Sequence, residues 1–198
     1  MKKIIFLMIF GFLLMTAKSY AQQDSYMSVQ YSVSIPTGDM GEYLSKTSWR
    51  GILIEYRGYV NSKVFAGVDA GWNVFYEKKD YDTYTQGTES LSGIQYRYQN
   101  QVPLLATIDY LLMPDNALRP YVGLGIGTMY SERATDMNLY RLKLNSWQFA
   151  VKGEVGILYE VSYSSAVKFG VKYYNGFKTG SMENQGYLSI NLGMAWGL

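Results

Sequence analysis

The chain has 198 residues, of which 48% are hydrophobic and 16% aromatic, and it contains no cysteine and no histidine. These two absences exclude a disulfide framework, imidazole or thiolate metal sites, and the Ser/His/Asp and Cys/His nucleophile systems. The formal net charge is only +2 at pH 7, which gives no support to a nucleic-acid-binding protein.

The first residues have the pattern of a secretory signal peptide. Lys2 and Lys3 precede an apolar run over residues 4–15, and a small-x-small sequence ends at Ala21. A spanning helix needs about 20 apolar residues, so we predict a cleaved signal over residues 1–21 rather than a transmembrane anchor. Cleavage leaves 15 basic and 16 acidic residues in the domain 22–198. We therefore expect no nucleic-acid partner.

From residue 26 onward, apolar and polar side chains alternate with a period of two, the pattern of β-strands. The first three predicted strands cover residues 26–35, 49–60 and 63–76. A loop to about residue 48 separates the first two strands, and residues 77–95 are predicted as a long polar loop. The fourth strand ends at Leu112. Its start stays open, because Pro103 cannot donate to a β-ladder and implies a bulge or a late start.

The second half of the chain continues the same alternation. The fifth strand places Gly123, Gly125 and Gly127 on one face, which indicates a crowded side such as the inside of a narrow barrel. A third long loop follows over residues 131–145. The remaining strands are predicted at residues 147–159, 166–173 and 187–198, with a short turn before the seventh and a loop over residues 175–185 before the eighth.

The strand pattern predicts an all-β fold, an eight-stranded antiparallel up-and-down transmembrane β-barrel. Its connections alternate between long and short, which is typical of such barrels. A soluble lipocalin-like barrel shows the same alternation with its apolar face inside. Two features favour the lipid-facing arrangement: most strand glycines share the charged face, and aromatic residues collect near the strand ends.

Eight charged side chains, four acidic and four basic, lie on the faces opposite the apolar ones. The predicted lumen charge network consists of Glu55, Arg57, Asp69, Asp109, Lys152, Glu154, Lys168 and Lys172. One interpretation is an ion-conducting path, and the other is a salt-bridged plug that replaces a hydrophobic core. The plug is favoured because an eight-stranded barrel has room only for its own side chains, and buried charges require partners.

Tyrosine and tryptophan side chains cluster near both ends of the strands, all on the apolar faces except Trp49, which lies just ahead of the apolar set of the second strand. They are predicted to form an aromatic girdle at the two membrane–water interfaces. The girdle consists of Trp49, Trp72, Tyr76, Tyr110, Tyr130, Trp147, Tyr159, Tyr173 and Trp196.

Three stretches carry a family resemblance: the early break from Pro36 to Asp39, the glycine-rich stretch from Arg119 to Gly127, and residues 187–198. With them the chain resembles the small eight-stranded outer-membrane barrels of Gram-negative bacteria, above all OmpW-like and OmpA-like barrels of the Bacteroidetes type. The resemblance implies an outer-membrane location, contact with lipid and lipopolysaccharide, and insertion by the barrel-assembly machinery through the C-terminal strand. Members of this group usually end in Phe, whereas this chain ends in Leu198.

The group includes pores, adhesins, enzymes and structural anchors, so the resemblance leaves the activity open. Its hydrolytic members rely on a histidine base, which this chain lacks, and we therefore predict no enzymatic activity, no cofactor and no metal. The first hypothesis is a monomer with a structural or surface-interaction role through long extracellular loops. Those loops could equally be solvated segments facing lipopolysaccharide headgroups. The alternatives are a narrow channel for small hydrophobic or ionic solutes and a soluble periplasmic ligand-binding barrel.

Overall fold

The computed structural model describes residues 25–86 and 89–197. These residues form eight strands and one short helix: β1 (Ser25–Thr37), α1 (Gly38–Tyr43), β2 (Ser48–Asn61), β3 (Val64–Gln86), β4 (Glu89–Leu111), β5 (Leu118–Met137), β6 (Tyr140–Ser162), β7 (Ser165–Gly176) and β8 (Gln185–Gly197). Each strand pairs antiparallel with the next, and β1 pairs with β8, which closes the barrel. The predicted eight-stranded fold is confirmed. The predicted signal peptide and Leu198 lie outside the described residues.

The two faces of each strand have opposite environments. In β7, Ala166, Lys168 and Lys172 are buried in the interior, whereas Phe169 and Tyr173 are 43% and 46% exposed on the outside. The same alternation exposes apolar side chains around the barrel. A soluble barrel would bury these side chains, so the soluble periplasmic alternative is wrong. Within the described chain, no helix is long and apolar enough to cross a membrane.

Two segments predicted as loops are largely strand. Most of residues 77–95 belongs to β3 and β4, and most of residues 131–145 belongs to β5 and β6. The turn between β5 and β6 contains Asn138, whose positive φ of 52° is tolerated by asparagine. The loop prediction failed for a physical reason. Beyond the lipid, neither face of a strand needs to be apolar, and the period-two pattern disappears.

The first loop also differs from the prediction, because it contains the helix α1. Met40 in the helix and Leu44, the residue after its end, are fully buried, and the Leu44 amide donates to the Met40 carbonyl at 2.9 Å. Six residues are too few to display a helical hydrophobic period. The fourth predicted loop agrees with the structure, since β7 ends at Gly176 and β8 begins at Gln185.

Pro103 causes neither a bulge nor a late start, so that expectation was wrong. It lies inside β4, opposite Met129 of β5. Toward β3, the pairing stops after Leu104↔Ala70 and resumes in the same register at Gln101↔Asn73. The missing N–H of proline removes local pairing on one side, and the neighbouring pairs preserve the register.

The glycine-bearing inner face is crowded, as its pattern predicts. A Cβ atom at Gly67 would lie 1.8 Å from the Tyr56 carbonyl oxygen, and one at Gly127 would lie 2.3 Å from the Leu104 carbonyl oxygen. Gly153, on the apolar face, has no neighbouring atom within 4 Å of such a position. The interior therefore depends on the close approach of backbone that glycine permits.

The barrel has two unlike ends. The "turn end" carries the short β2–β3, β4–β5 and β6–β7 connections. The "hairpin end" carries α1 and the extended parts of β3 to β6, which stay paired up to Gln86↔Glu89 and Met137↔Tyr140. Beyond the girdle residues Tyr76, Tyr130 and Trp147, these extensions form what we call the projecting sheet.

Candidate functional site: the barrel interior and its outer mouth

Arg57 of β2 is the centre of the interior. Its Nε donates to Asp109 Oδ2 at 2.6 Å, and its Nη1 donates to Asp69 Oδ1 at 2.5 Å. Its Nη2 lies 3.5 Å from Glu55 Oε1 and 3.8 Å from Glu154 Oε1. One fully buried guanidinium therefore contacts all four carboxylates of the predicted network, which come from β2, β3, β4 and β6.

Three lysines complete the pairing from the opposite wall. Lys168 donates to Glu55 Oε2 at 2.5 Å, and Lys172 contacts both Glu55 and Glu154, the latter at 2.9 Å. Lys152 donates to Asp69 and Glu154. All eight charged residues are buried, with at most 4% of their surface exposed. The structure thus brings together every residue of the predicted lumen charge network.

The network also includes polar side chains that the sequence analysis did not assign to it. Ser28 and Gln30 of β1 donate to Glu55 Oε2 at 2.9 and 2.7 Å. Their signal was present in the sequence, because Ser28, Gln30, Ser32 and Ser34 alternate with the apolar residues of β1. The predicted network contained only charged residues and therefore did not include these neutral donors.

Apolar layers close the interior on both sides of the charges. The layer toward the hairpin end consists of Met40, Leu44, Phe75, Leu105, Met129, Ala150, Tyr174 and Tyr187. The layer toward the turn end consists of Tyr26, Phe65, Leu111, Tyr121, Leu158, Ala166 and Ala195. Helix α1 supplies Met40 to the first layer and so covers the charge network from the hairpin end.

Three interior carboxylates lie close enough together to share an ion, but all three are paired with cations. Glu55, Asp69 and Glu154 place one oxygen each within 4.8 Å of one another. However, each of the three is bonded to Lys or Arg nitrogens. Four cations balance four carboxylates, so the charge and space that a bound ion requires are already taken.

Eight of the nine girdle residues follow the apolar phase of their strands, whereas Trp49 lies outside that phase, next to the register shift between β1 and β2. Eight of the nine are exposed on the outer surface, and Tyr130 is half-buried against Trp147, with ring centroids 5.3 Å apart. The prediction omitted Tyr31, whose hydroxyl donates to the Trp49 carbonyl. It also omitted Phe149, which stacks on Phe177 at 5.7 Å.

The outer mouth, above the apolar layer at the hairpin end, contains a second group of charged residues that the sequence did not reveal. The Tyr43 ring of α1 lies 3.9 Å from the Arg133 guanidinium and 4.8 Å from that of Arg97. The Tyr43 hydroxyl is 2.5 Å from Thr135 Oγ1. Arg97 donates from Nη1 to the Tyr43 carbonyl at 2.6 Å and from Nε to Gln95 at 2.5 Å.

Glu77 fixes the loop that follows α1. The Ser45 amide and hydroxyl donate to its carboxylate at 2.6 and 2.8 Å, and Lys79 pairs with it at 2.7 Å. Burial alone would raise the pKa of Glu77, but the hydrogen bonds from Lys79 and Ser45 prevail and lower it below its ordinary value. Glu77 is therefore ionised whenever the loop is in place at neutral pH.

Comparison with known proteins agrees with this architecture. The family model of the outer membrane protein beta-barrel domain matches residues 4–196. A sequence comparison with curated proteins finds no significant match.

Solved structures with the same fold include Neisserial surface protein A, at 13% identity and a TM-score of 0.57 over 87% of this chain and 96% of that one. OprG from Pseudomonas aeruginosa has 13% identity and a TM-score of 0.57 over 89% and 96%. Ail of Yersinia pestis, solved with the heparin analogue sucrose octasulfate, has 13% identity and a TM-score of 0.55 over 89% and 99%. At these identities the likeness shows the fold alone.

Proposed function

The chain belongs to the outer membrane protein β-barrel domain family and lies in the outer membrane, and on this premise we propose that it is a closed, non-enzymatic barrel with a surface-interaction role. The observation that carries the proposal is the complete burial and mutual pairing of the eight interior charges around Arg57. An interior of this kind fills the lumen instead of leaving a path through it.

Electrostatics supports a closed interior. Moving charges out of water is costly unless each one finds partners. Here Arg57 and the three lysines meet four carboxylates, and the apolar layers at both ends exclude solvent from them. A conducting lumen would need water or an ion among these groups, and the pairing of the charges with one another does not favour that.

Two features support a non-enzymatic protein. The chain contains no histidine and no cysteine, so the commonest general base and the thiolate nucleophile are missing. Inside the barrel, the carboxylates that could replace them are Glu55, Asp69, Asp109 and Glu154. All four are engaged by interior cations, which leaves none free to take up a substrate proton.

The outer surface supports the interaction role. Tyr81 and Tyr140 of the projecting sheet are 73% and 69% exposed, and Leu139 at its turn is 99% exposed. Exposed aromatic side chains on a rigid sheet suit recognition of other molecules. In the same proposal the barrel is a monomer, its girdle contacts lipid and lipopolysaccharide, and β8 is recognised by the barrel-assembly machinery.

Planar-bilayer recordings of the purified protein test the closed lumen. We expect no steady conductance from the wild type, because the charge network and both apolar layers block the axis. Arg57→Ala should raise conductance or lower thermal stability. Arg119→Ala should leave conductance unchanged and lower stability far less, since Arg119 pairs with the half-exposed Glu160 at the turn end. A steady ohmic conductance of the wild type would instead support the narrow-channel hypothesis.

A further inference from the structure

The outer mouth holds two neighbouring arginines, Arg97 and Arg133. Among the residues that the structure describes, no carboxylate forms an ion pair with Arg97 or Arg133, although Arg97 is anchored by Gln95 and the Tyr43 carbonyl. Both guanidiniums lie against the Tyr43 ring, and all three side chains are half-buried rather than sealed. Part of each side chain is therefore exposed at the mouth, whereas the Nε and Nη2 atoms of Arg133 lie beneath the surface.

Arg133 presents the more specific feature. Its Nε and Nη2 atoms are buried and have no hydrogen-bond partner within the described part of the chain. These two nitrogens form the side-on fork with which arginine binds two oxygens of one oxyanion. Leaving such a fork buried and unpaired is costly, and a bound anion would remove that cost.

The strand phase and the charge of the two arginines indicate which class of ligand would bind. Arg97 and Arg133 share the phase of the interior residues Gln101 and Ser131 in β4 and β5, so they face the barrel axis rather than the lipid. Glu183 and Asp39 are near enough to act on the charge of Arg133, but neither forms an ion pair with it. Two neighbouring positive charges favour a doubly charged anion over a singly charged one. The fork geometry and the axial position together indicate a dianionic oxyanion that arrives from solution.

We propose that Tyr43, Arg97 and Arg133 form a binding site for the phosphate monoester group of a soluble ligand. Arg133 would hold two phosphate oxygens through Nε and Nη2, and Arg97, fixed by Gln95 and Tyr43, would supply the second positive charge. The Tyr43 ring keeps both guanidiniums in place. This site rests on the proposed surface role and names its ligand class. It does not depend on the lumen being closed.

Calorimetric titration of the detergent-purified full chain with inorganic phosphate and with glucose 6-phosphate, at constant ionic strength, tests the site. We expect both to bind at one site, and Arg133→Gln should weaken binding by about 10–100-fold. Arg133→Lys keeps the charge but removes the fork, so it should weaken binding at least about tenfold. Absence of phosphate binding by the wild type, or equal binding by both variants, would overturn the proposal.

Arg141→Gln is the matched control. It removes the same charge from the same projecting sheet, but Arg141 is exposed and pairs with Asp136 at 3.3 Å. Its phosphate affinity should stay within about twofold of wild type, because exposed charges are screened. An equal loss in Arg141→Gln would show a general charge effect and contradict a built site.

A second experiment distinguishes a soluble phosphate ligand from a lipid headgroup. The titration is repeated in vesicles of phosphatidylcholine with and without phosphatidic acid, whose headgroup is a phosphate monoester. The axial position predicts the same glucose 6-phosphate affinity in both vesicles. Competition by phosphatidic acid would overturn the soluble assignment. Because conductance is recorded separately, failure of this site and failure of the closed lumen can be distinguished.

Discussion

Arg57 and Arg133 occupy the same barrel in contrasting surroundings. Arg57 lies in the membrane-spanning part, contacts four carboxylates and is fully buried. Arg133 lies at the outer mouth, where it contacts the Tyr43 ring, and its Nε and Nη2 atoms have no hydrogen-bond partner among the described residues. Paired charge in a dry interior supports structure, whereas the unpaired fork of Arg133 is the basis of the proposed phosphate site. The contrast suggests that the interior serves stability and the mouth serves recognition.

The largest expected effect is the loss of Arg57. Arg57→Ala leaves four buried carboxylates with three lysines, and we expect it to lower the free energy of unfolding by about 3–5 kcal/mol. Urea unfolding in lipid vesicles, followed by tryptophan fluorescence, measures this change. Arg119→Ala is the control, with a loss of at most about 1 kcal/mol because its ion pair is partly exposed. Equal losses of stability in the two variants would contradict a larger energetic role for the interior charge than for the turn-end ion pair.

A smaller effect is expected from crowding the interior wall next to Arg57. In Gly67→Ala the new methyl would collide with the Tyr56 carbonyl, and the shift needed should lower the free energy of unfolding by about 1–3 kcal/mol. Gly153→Ala adds the same methyl to open space on the outer face and should stay within about 0.5 kcal/mol. The same urea titration compares them. A Gly67→Ala protein as stable as wild type would mean that the interior is looser than described.

The smallest effect concerns the pH response of the mouth. The pKa of folded Glu77 lies below its ordinary value of 4.5, so ionised Glu77 stabilises the loop above that pH. The stabilisation is lost as the pH falls through the folded pKa. Hydrogen-exchange protection of the Ser45 amide, which donates to Glu77, should therefore decrease below about pH 4.5. In Glu77→Gln it should not depend on pH in this range, and a similar decrease there would assign the effect to another group.

The sequence predicted the membrane-spanning part far better than the mouth. Inside the lipid, one face of each strand must be apolar. This requirement produces the period-two pattern from which the strands and the inward charges, such as Arg57 and Asp69, could be predicted. Beyond Tyr76 and Tyr130 that requirement ends, so the extensions of β3 to β6 looked like loops. The cluster of Arg97 and Arg133 around Tyr43 could not be predicted, because these contacts depend on how α1 packs, which no local sequence pattern encodes.

Solvent access to the middle of the lumen tests the central claim most directly. The chain contains no cysteine, so a single cysteine introduced at Thr107, a buried position beside the charge network, reports on that place alone. In the folded barrel, a small charged thiol reagent should fail to label Thr107→Cys while labelling Glu42→Cys on the exposed side of α1. Both variants should react fully after unfolding. Rapid labelling of Thr107→Cys in the folded protein would show an open aqueous path and contradict a closed lumen.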